Sequence, residues 1–339
     1  MIRALIAAAA LASCAAASPA PVQETATQAP PAPITIDQPA PLAPAAPIAI
    51  PLTPVSGTTD ALVAPDLSAL PRSPASANPT LACAGAFAQG GLALCRTAPG
   101  ADILVDGEMR GAANADGWAV IGFDRDAPAE VSVEARWAAG QIRQTYPVAP
   151  RDFSIQRVDG LPPQTVNPTE PAVLARIARD RDLKNIGFAS REPALGALSG
   201  FIWPVEGRIS GSWGNQRVLN GEPRTPHYGV DIAVPTGTPI RAPADGVVSL
   251  AHADMHFEGG LVFIDHGQGL ISMYLHMSRL DVQAGQRVRQ GDVIGAVGSS
   301  GRTTGPHLCW RLKWRDRNLD PTLAILGVAE GRRVLDVAG

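Results

Sequence analysis

Hydrophobic and polar positions alternate in several stretches of the chain. Val131-Ser132-Val133-Glu134-Ala135-Arg136-Trp137 places apolar residues at every second position, as a half-buried strand does. Ala119, Ile121 and Phe123 line one face of a second strand. Asp106-Gly107 supplies a hairpin turn after Ile103-Leu104-Val105. From Phe201 onward, short β-branched runs are punctuated by glycine. Residues 229–234, 246–250, 261–265, 270–275 and 307–314 all read as strands. Between these regions the pattern predicts one helix, with Thr169 as N-cap, Pro171 in the first turn, and Val173, Leu174 and Ile177 on one face. It reads as a spacer. The fold class is therefore mainly β. Residues 81–160 form a small β-sandwich-like domain, 161–198 a helical connector, 199–325 a β-sheet or barrel-type domain, and 326–339 a C-terminal tail.

The first eighty residues break this texture. Arg3, the apolar run from Ala4 to Leu11, and a small-residue site read as an export signal over residues 1–13. Leu11-Ala12-Ser13-Cys14 resembles the bacterial lipobox, in which the cysteine is acylated and becomes the first mature residue. Ordinary cleavage in the later Ala/Ser run is the alternative. Residues 14–80 read as a disordered Pro/Ala-rich linker: between 15 and 80 lie 15 of the 32 prolines and just five charges. Such a segment cannot bury enough apolar surface to fold. With Ala15 after the cysteine, the expectation is an exported outer-membrane lipoprotein at the periplasmic face, touching membrane only through a lipid on Cys14.

Composition narrows the function classes. Net charge is −3 with 17% charged residues, which gives no electrostatic case for nucleic acid. No run of ~18 apolar residues suggests a transmembrane helix. In an oxidising compartment Cys83 and Cys95, twelve apart around Gly85, Gly90 and Gly91, are candidates for a disulfide; two buried thiols are the alternative. Cys309 then has no cysteine partner.

All six histidines fall between residues 227 and 307. Three have suggestive neighbours: Pro226-His227-Tyr228-Gly229-Val230-Asp231, Tyr274-Leu275-His276-Met277 and Gly305-Pro306-His307-Leu308-Cys309. With Ala233–Ile240, Ala244–Val248 and Gly295–Gly298 as framework, residues 201–325 resemble the lysostaphin-like (LytM-type) zinc metallopeptidases, which cleave peptides of bacterial peptidoglycan. The resemblance implies Zn²⁺ held by His227, Asp231 and a third ligand at position 309, with His276 and His307 as general base and oxyanion stabiliser in either order. His252, His256 and His266 fit no part of it and read as surface or hydrogen-bonded turn residues. An extended chain would hold His227 and Asp231 about 13 Å apart, so a shared metal requires a bend, and Gly229 is the place for it. His307 and Cys309 share one strand face. Alternation puts His276 on the face of Tyr274, with Ile271, Met273 and Leu275 toward the core.

Position 309 departs from the family, which usually has a histidine there. A thiolate also binds zinc well, at ~2.3 Å. It brings the centre to zero net charge, whereas a neutral imidazole leaves +1, so the metal becomes a weaker Lewis acid. Two readings follow: a working zinc endopeptidase acting on peptidoglycan, or a catalytically impaired LytM-like factor whose partners are cell-wall amidases.

Overall fold

Cys83 and Cys95 sit directly opposite each other across an antiparallel hairpin and are joined as a disulfide. The hairpin, β1 (Leu81–Gly85) and β2 (Leu92–Thr97), opens the part of the chain described by this computed structural model, residues 81–160 and 166–335. The export signal, Cys14 and the Pro/Ala-rich linker lie outside the described residues. Next come β3 (Asp102–Val105), β4 (Glu108–Ala112), β5 (Trp118–Gly122), β6 (Glu130–Trp137) and β7 (Gly140–Pro147). They form a three-stranded sheet, β1-β2-β5, and a four-stranded sheet, β4-β3-β6-β7. Val131, Val133 and Ala135 are fully buried, as the alternation predicts, and join Leu94, Val120 and Ile103 in one core. Asp106 and Gly107, both at positive φ, make the β3–β4 turn.

The boundaries drawn from sequence are not packing boundaries. The same core continues from Leu94 and Phe123 to Val230, Trp310 and Leu312. Residues 326–339, expected as a tail, instead carry most of a helix, Pro321–Leu335. This helix lies on the β1–β2 hairpin, and its glycines make the approach close. A Cβ on Gly327 would fall 2.1 Å from the Leu92 carbonyl oxygen, and one on Gly331 2.9 Å from that of Ala84.

The remaining strands are β8 (Ile155–Val158), β9 (Arg208–Gly211), β10 (Gln216–Leu219), β11 (Glu222–Pro223), β12 (Val230–Ala233), β13 (Pro239–Arg241), β14 (Gly246–Met255), β15 (Gly259–Asp265), β16 (Leu270–Leu280), β17 (Arg287–Val288), β18 (Val293–Val297), β19 (Leu308–Trp314) and β20 (Arg317–Leu319). Ten of them form one sheet whose main path is β17-β14-β15-β16-β19-β12-β9. The path stays open, so the sheet alternative holds and the barrel does not. One face, with Val262, Tyr274, Trp310 and Leu312, joins the main core. The other gathers Leu250, Phe263, Ile271, Met273, Leu275 and Cys309.

That second face is covered by the predicted helix, Pro171–Phe188, so it is no spacer. Leu183 and Phe188 pack on the cluster, and a Cβ on Gly187 would meet the Phe263 ring at 2.9 Å. The buried stripe differs from the expected one: Leu174 is 46% exposed. The N-cap is Glu170 rather than Thr169, and no side chain caps the helix. A fourth sheet, β11-β10-β8, pairs β8 in parallel with β10. It brings Gln156 and Val158, from the stretch after the sandwich, to the wall of the site.

Candidate metal centre and active site

Asp231 on β12 stands directly across from Cys309 on β19. On its other side, also in register, is Gly211 of β9, where any side chain would strike the carboxylate: a Cβ there falls 2.4 Å from Asp231 Oδ2. His227 precedes β12 and returns toward Asp231 through a bend at Gly229, as the spacing requires. The glycine is needed for room. A Cβ on it would lie 2.8 Å from Cys309 Sγ and 2.9 Å from Arg311 Cγ. His227 Nε2 lies 3.2 Å from Asp231 Oδ1 and 3.6 Å from Cys309 Sγ. One ligand atom from each residue falls within 4.8 Å of the others.

These residues fit a zinc ion. Tetrahedral bonds of about 2.0–2.3 Å separate ligand atoms by roughly 3.3–3.8 Å, close to the observed spacing. Asp231 Oδ1 is buried and has no hydrogen-bond partner, an orphan that a cation would satisfy. Charge states agree for two of the three ligands. Burial lowers the affinity of His227 for a proton, keeping it neutral although Asp231 pulls the other way. Burial would raise the Asp231 carboxyl, but His227 and His307 hold it well below the usual carboxylate range. Cys309 is the exception. Burial pushes its thiol up to about 12, against the opposing pull of Arg311, whose Nε donates to Sγ at 3.4 Å.

His276 reaches the site by breaking its strand. Tyr274 pairs with Val262 and Met277 with Gly260, so β16 carries an extra residue in this interval. His276 sits at φ +66°, a left-handed conformation uncommon for a non-glycine residue and concentrated at functional sites. The bulge corrects the expected facing: His276 lines one cavity with Leu275 and Cys309, while Tyr274 lies in the main core, bonded to Ser272. Its Nδ1 donates to the Ser300 carbonyl at 2.8 Å, which leaves the Nε2 lone pair free. Burial lowers its pKa to about 4. His307 is tied in the same way, Nδ1 to the Gly305 carbonyl at 2.9 Å, and its Nε2 is 3.7 Å from Asp231 Oδ1. The two rings are 4.8 Å apart. All five residues read from sequence therefore converge.

Three arginines that sequence reading missed, Arg217, Arg302 and Arg311, line the same cavity of about 500 Å³. Arg311 had a legible signal, since it lies two residues after Cys309 on one strand face. Arg217 had none, because β10 takes its place only through pairing with β8. Of the histidines set aside, His266 takes the hydrogen-bonded alternative and is fully buried. Its Nδ1 bonds the Asp245 carbonyl and its Nε2 the Ser272 hydroxyl, each at 2.7 Å.

Comparison with known proteins decides the family. Residues 225–321 match peptidase family M23. A solved structure described as peptidase M23, from Pseudomonas aeruginosa, is 32% identical and superposes with a TM-score of 0.56, covering 71% of this chain and 96% of that one. The chain belongs to peptidase family M23. Among curated M23 relatives, peptidoglycan DD-endopeptidase ShyA of Vibrio cholerae is 38% identical over 130 residues, 38% of this chain and 30% of that protein. DD-carboxypeptidase/endopeptidase Mpg of Neisseria meningitidis is 41% identical over 104 residues, 31% of this chain and 24% of that one. This M23 chain thus spans under a third of the length of these curated relatives.

Proposed function

We propose that the chain is a zinc-dependent endopeptidase that hydrolyses peptide cross-links of cell-wall peptidoglycan, at the D,D bonds named for its relatives. The observation that carries this reading is the orphaned Asp231 Oδ1, buried where His227, Cys309 and His307 converge. Zinc bound by His227, Asp231 and Cys309 supplies Lewis acidity toward a substrate carbonyl. His276, kept neutral by burial and held by Ser300, accepts a proton at Nε2 from the attacking water and returns it to the leaving amine. His307, held at Nδ1 by Gly305, turns Nε2 toward the same site, where it would stabilise the developing oxyanion.

The buried thiol at Cys309 favours a second reading, a weakly metallated scaffold that activates cell-wall amidases. Cross-linked sacculi separate the two. Incubation with the purified protein should release uncross-linked muropeptides, and a chelator should abolish the release. No release, together with stimulation of an added amidase, refutes the enzyme and supports the scaffold.

Delivery is part of the proposal. Acylation at Cys14 and the Pro/Ala-rich tract would tether the peptidase to the outer membrane with reach to the wall. Cys14→Ala should move the protein from the membrane fraction to the soluble periplasm, and unchanged fractionation refutes the anchor.

A further inference from the structure

We propose that Arg311 is an outer part of the metal centre, a positioning residue whose guanidinium holds the Cys309 sulfur as a ligand and returns the positive charge that a cysteine at this position removes. The inference rests on the zinc site proposed above and not on the peptidase reading. With Zn²⁺, Asp231 and a thiolate the centre has no net charge, whereas a neutral histidine at 309 would leave it positive. One guanidinium against the sulfur brings the balance back to that of the histidine centre. Cys309 and Arg311 thus act as a pair in place of a single neutral ligand.

The structure builds that pair. Cys309 and Arg311 lie two apart on β19 and share a strand face. Arg311 Nε donates to Cys309 Sγ at 3.4 Å, and His227 Nε2 lies 3.6 Å from the same sulfur. Cys309 is 2% exposed, so water does little for a charge on its sulfur. A thiolate in such a place is costly without a counter-charge. A metal-bound thiolate keeps lone pairs that accept an N–H, and outer partners of this kind orient and tune a ligand. The bend at Gly229 leaves room for the contact. A Cβ there would lie 2.8 Å from Sγ, 2.9 Å from Arg311 Cγ and 3.3 Å from Arg311 Nε, so any side chain would enter the contact itself. The neighbouring cations have other partners: Arg217 stands 3.7 Å from Asp231 Oδ2, and Lys184 is paired with Glu258. Among the described residues Arg311 forms no ion pair with a carboxylate, and its side-chain hydrogen bond goes to the sulfur.

The test is a double-mutant cycle read as zinc affinity, by competition with a chromophoric chelator at one fixed pH, on proteins whose folding is checked by circular dichroism. Arg311→Met should weaken zinc binding by about 10–100-fold where Cys309 is present. In the Cys309→His background the same change should leave affinity unchanged or tighten it, because a neutral imidazole presents no charge for the guanidinium to offset. Arg311→Lys should recover part of the loss. Arg311→Gln carries the same comparison if the methionine variant does not fold. Cobalt loading adds a signature that a merely structural role would not move. The thiolate-to-cobalt band, absent in Cys309→His, should shift to longer wavelength in Arg311→Met as the sulfur loses its hydrogen bond. Unchanged affinity in Arg311→Met, an equal loss in both backgrounds, or an unshifted band overturns the inference. No zinc bound by wild type or by Cys309→His refutes the metal site and this inference with it. A protein that shows the coupling yet never cuts a cross-linked peptide refutes the peptidase and leaves the role of Arg311 standing.

Discussion

Loading the site with zinc should displace one proton, and that proton should come from Cys309. A metal needs neutral imidazole, carboxylate and thiolate. His227 is kept neutral by burial and Asp231 is ionised, so neither has a proton to lose near neutral pH. The Cys309 thiol, raised to about 12, is the one group that must change state. Neutral pH lies about five units below that value, so removing the proton costs zinc binding roughly 7 kcal/mol. Below its pKa each unit of pH rise makes the thiolate tenfold more available. The apparent zinc affinity should therefore climb about tenfold per unit from pH 6 to 9, measured by competition with a chromophoric chelator. Calorimetry in buffers of different ionisation enthalpy should count one proton released. Cys309→His should bind with almost no pH dependence above pH 7. A flat profile for wild type means that the thiol keeps its proton and is not a ligand, and a slope of two means that His227 or Asp231 has been given the wrong charge.

Three further outcomes follow from the geometry. Gly229→Ala should lose zinc with the fold intact, since its Cβ would sit 2.8 Å from Cys309 Sγ; unchanged zinc content would contradict that steric reading. His266, with its native pKa lowered to about 4, is neutral in the fold, while the unfolded chain takes up a proton below about 6.5. Stability should therefore fall by up to roughly 3 kcal/mol between pH 6.5 and 4, and denaturant melts of His266→Leu should lack that share of the slope. Replacing Cys83 and Cys95 by serine should cost about 3 kcal/mol, seen as a lower Tm. An unchanged Tm would show that the β1–β2 pairing holds the hairpin without the disulfide.

The sequence carried the site further than it carried the fold. His227, Asp231, His307 and Cys309 were legible through the family motifs that carry them, and the pairing of β12 with β19 sets Asp231 opposite Cys309. The bend at Gly229 followed from the distance an extended chain would set between two ligands of one metal. The facing of His276 was misread because alternation assumes an unbroken strand, and a bulge with one left-handed residue reverses it. The connector helix and the C-terminal helix were undervalued for a different reason. Their closest approaches run through Gly187, Gly327 and Gly331, residues that leave no hydrophobic mark on a helical wheel, beside apolar contacts from Leu183, Phe188, Leu323 and Val328. The arginine lining was hidden because Arg217 and Arg302 arrive from loops and edges brought together by tertiary pairing.

The most direct test of the account is the rate at which the zinc-loaded protein converts a defined cross-linked muropeptide dimer to monomers, compared with His276→Ala at equal zinc content. Wild type should yield monomers. The variant, with His227, Asp231 and Cys309 intact, should be slower by about 10²–10⁴-fold without loss of metal. No monomers from the fully zinc-loaded wild type, or equal rates for the two proteins, would contradict the account.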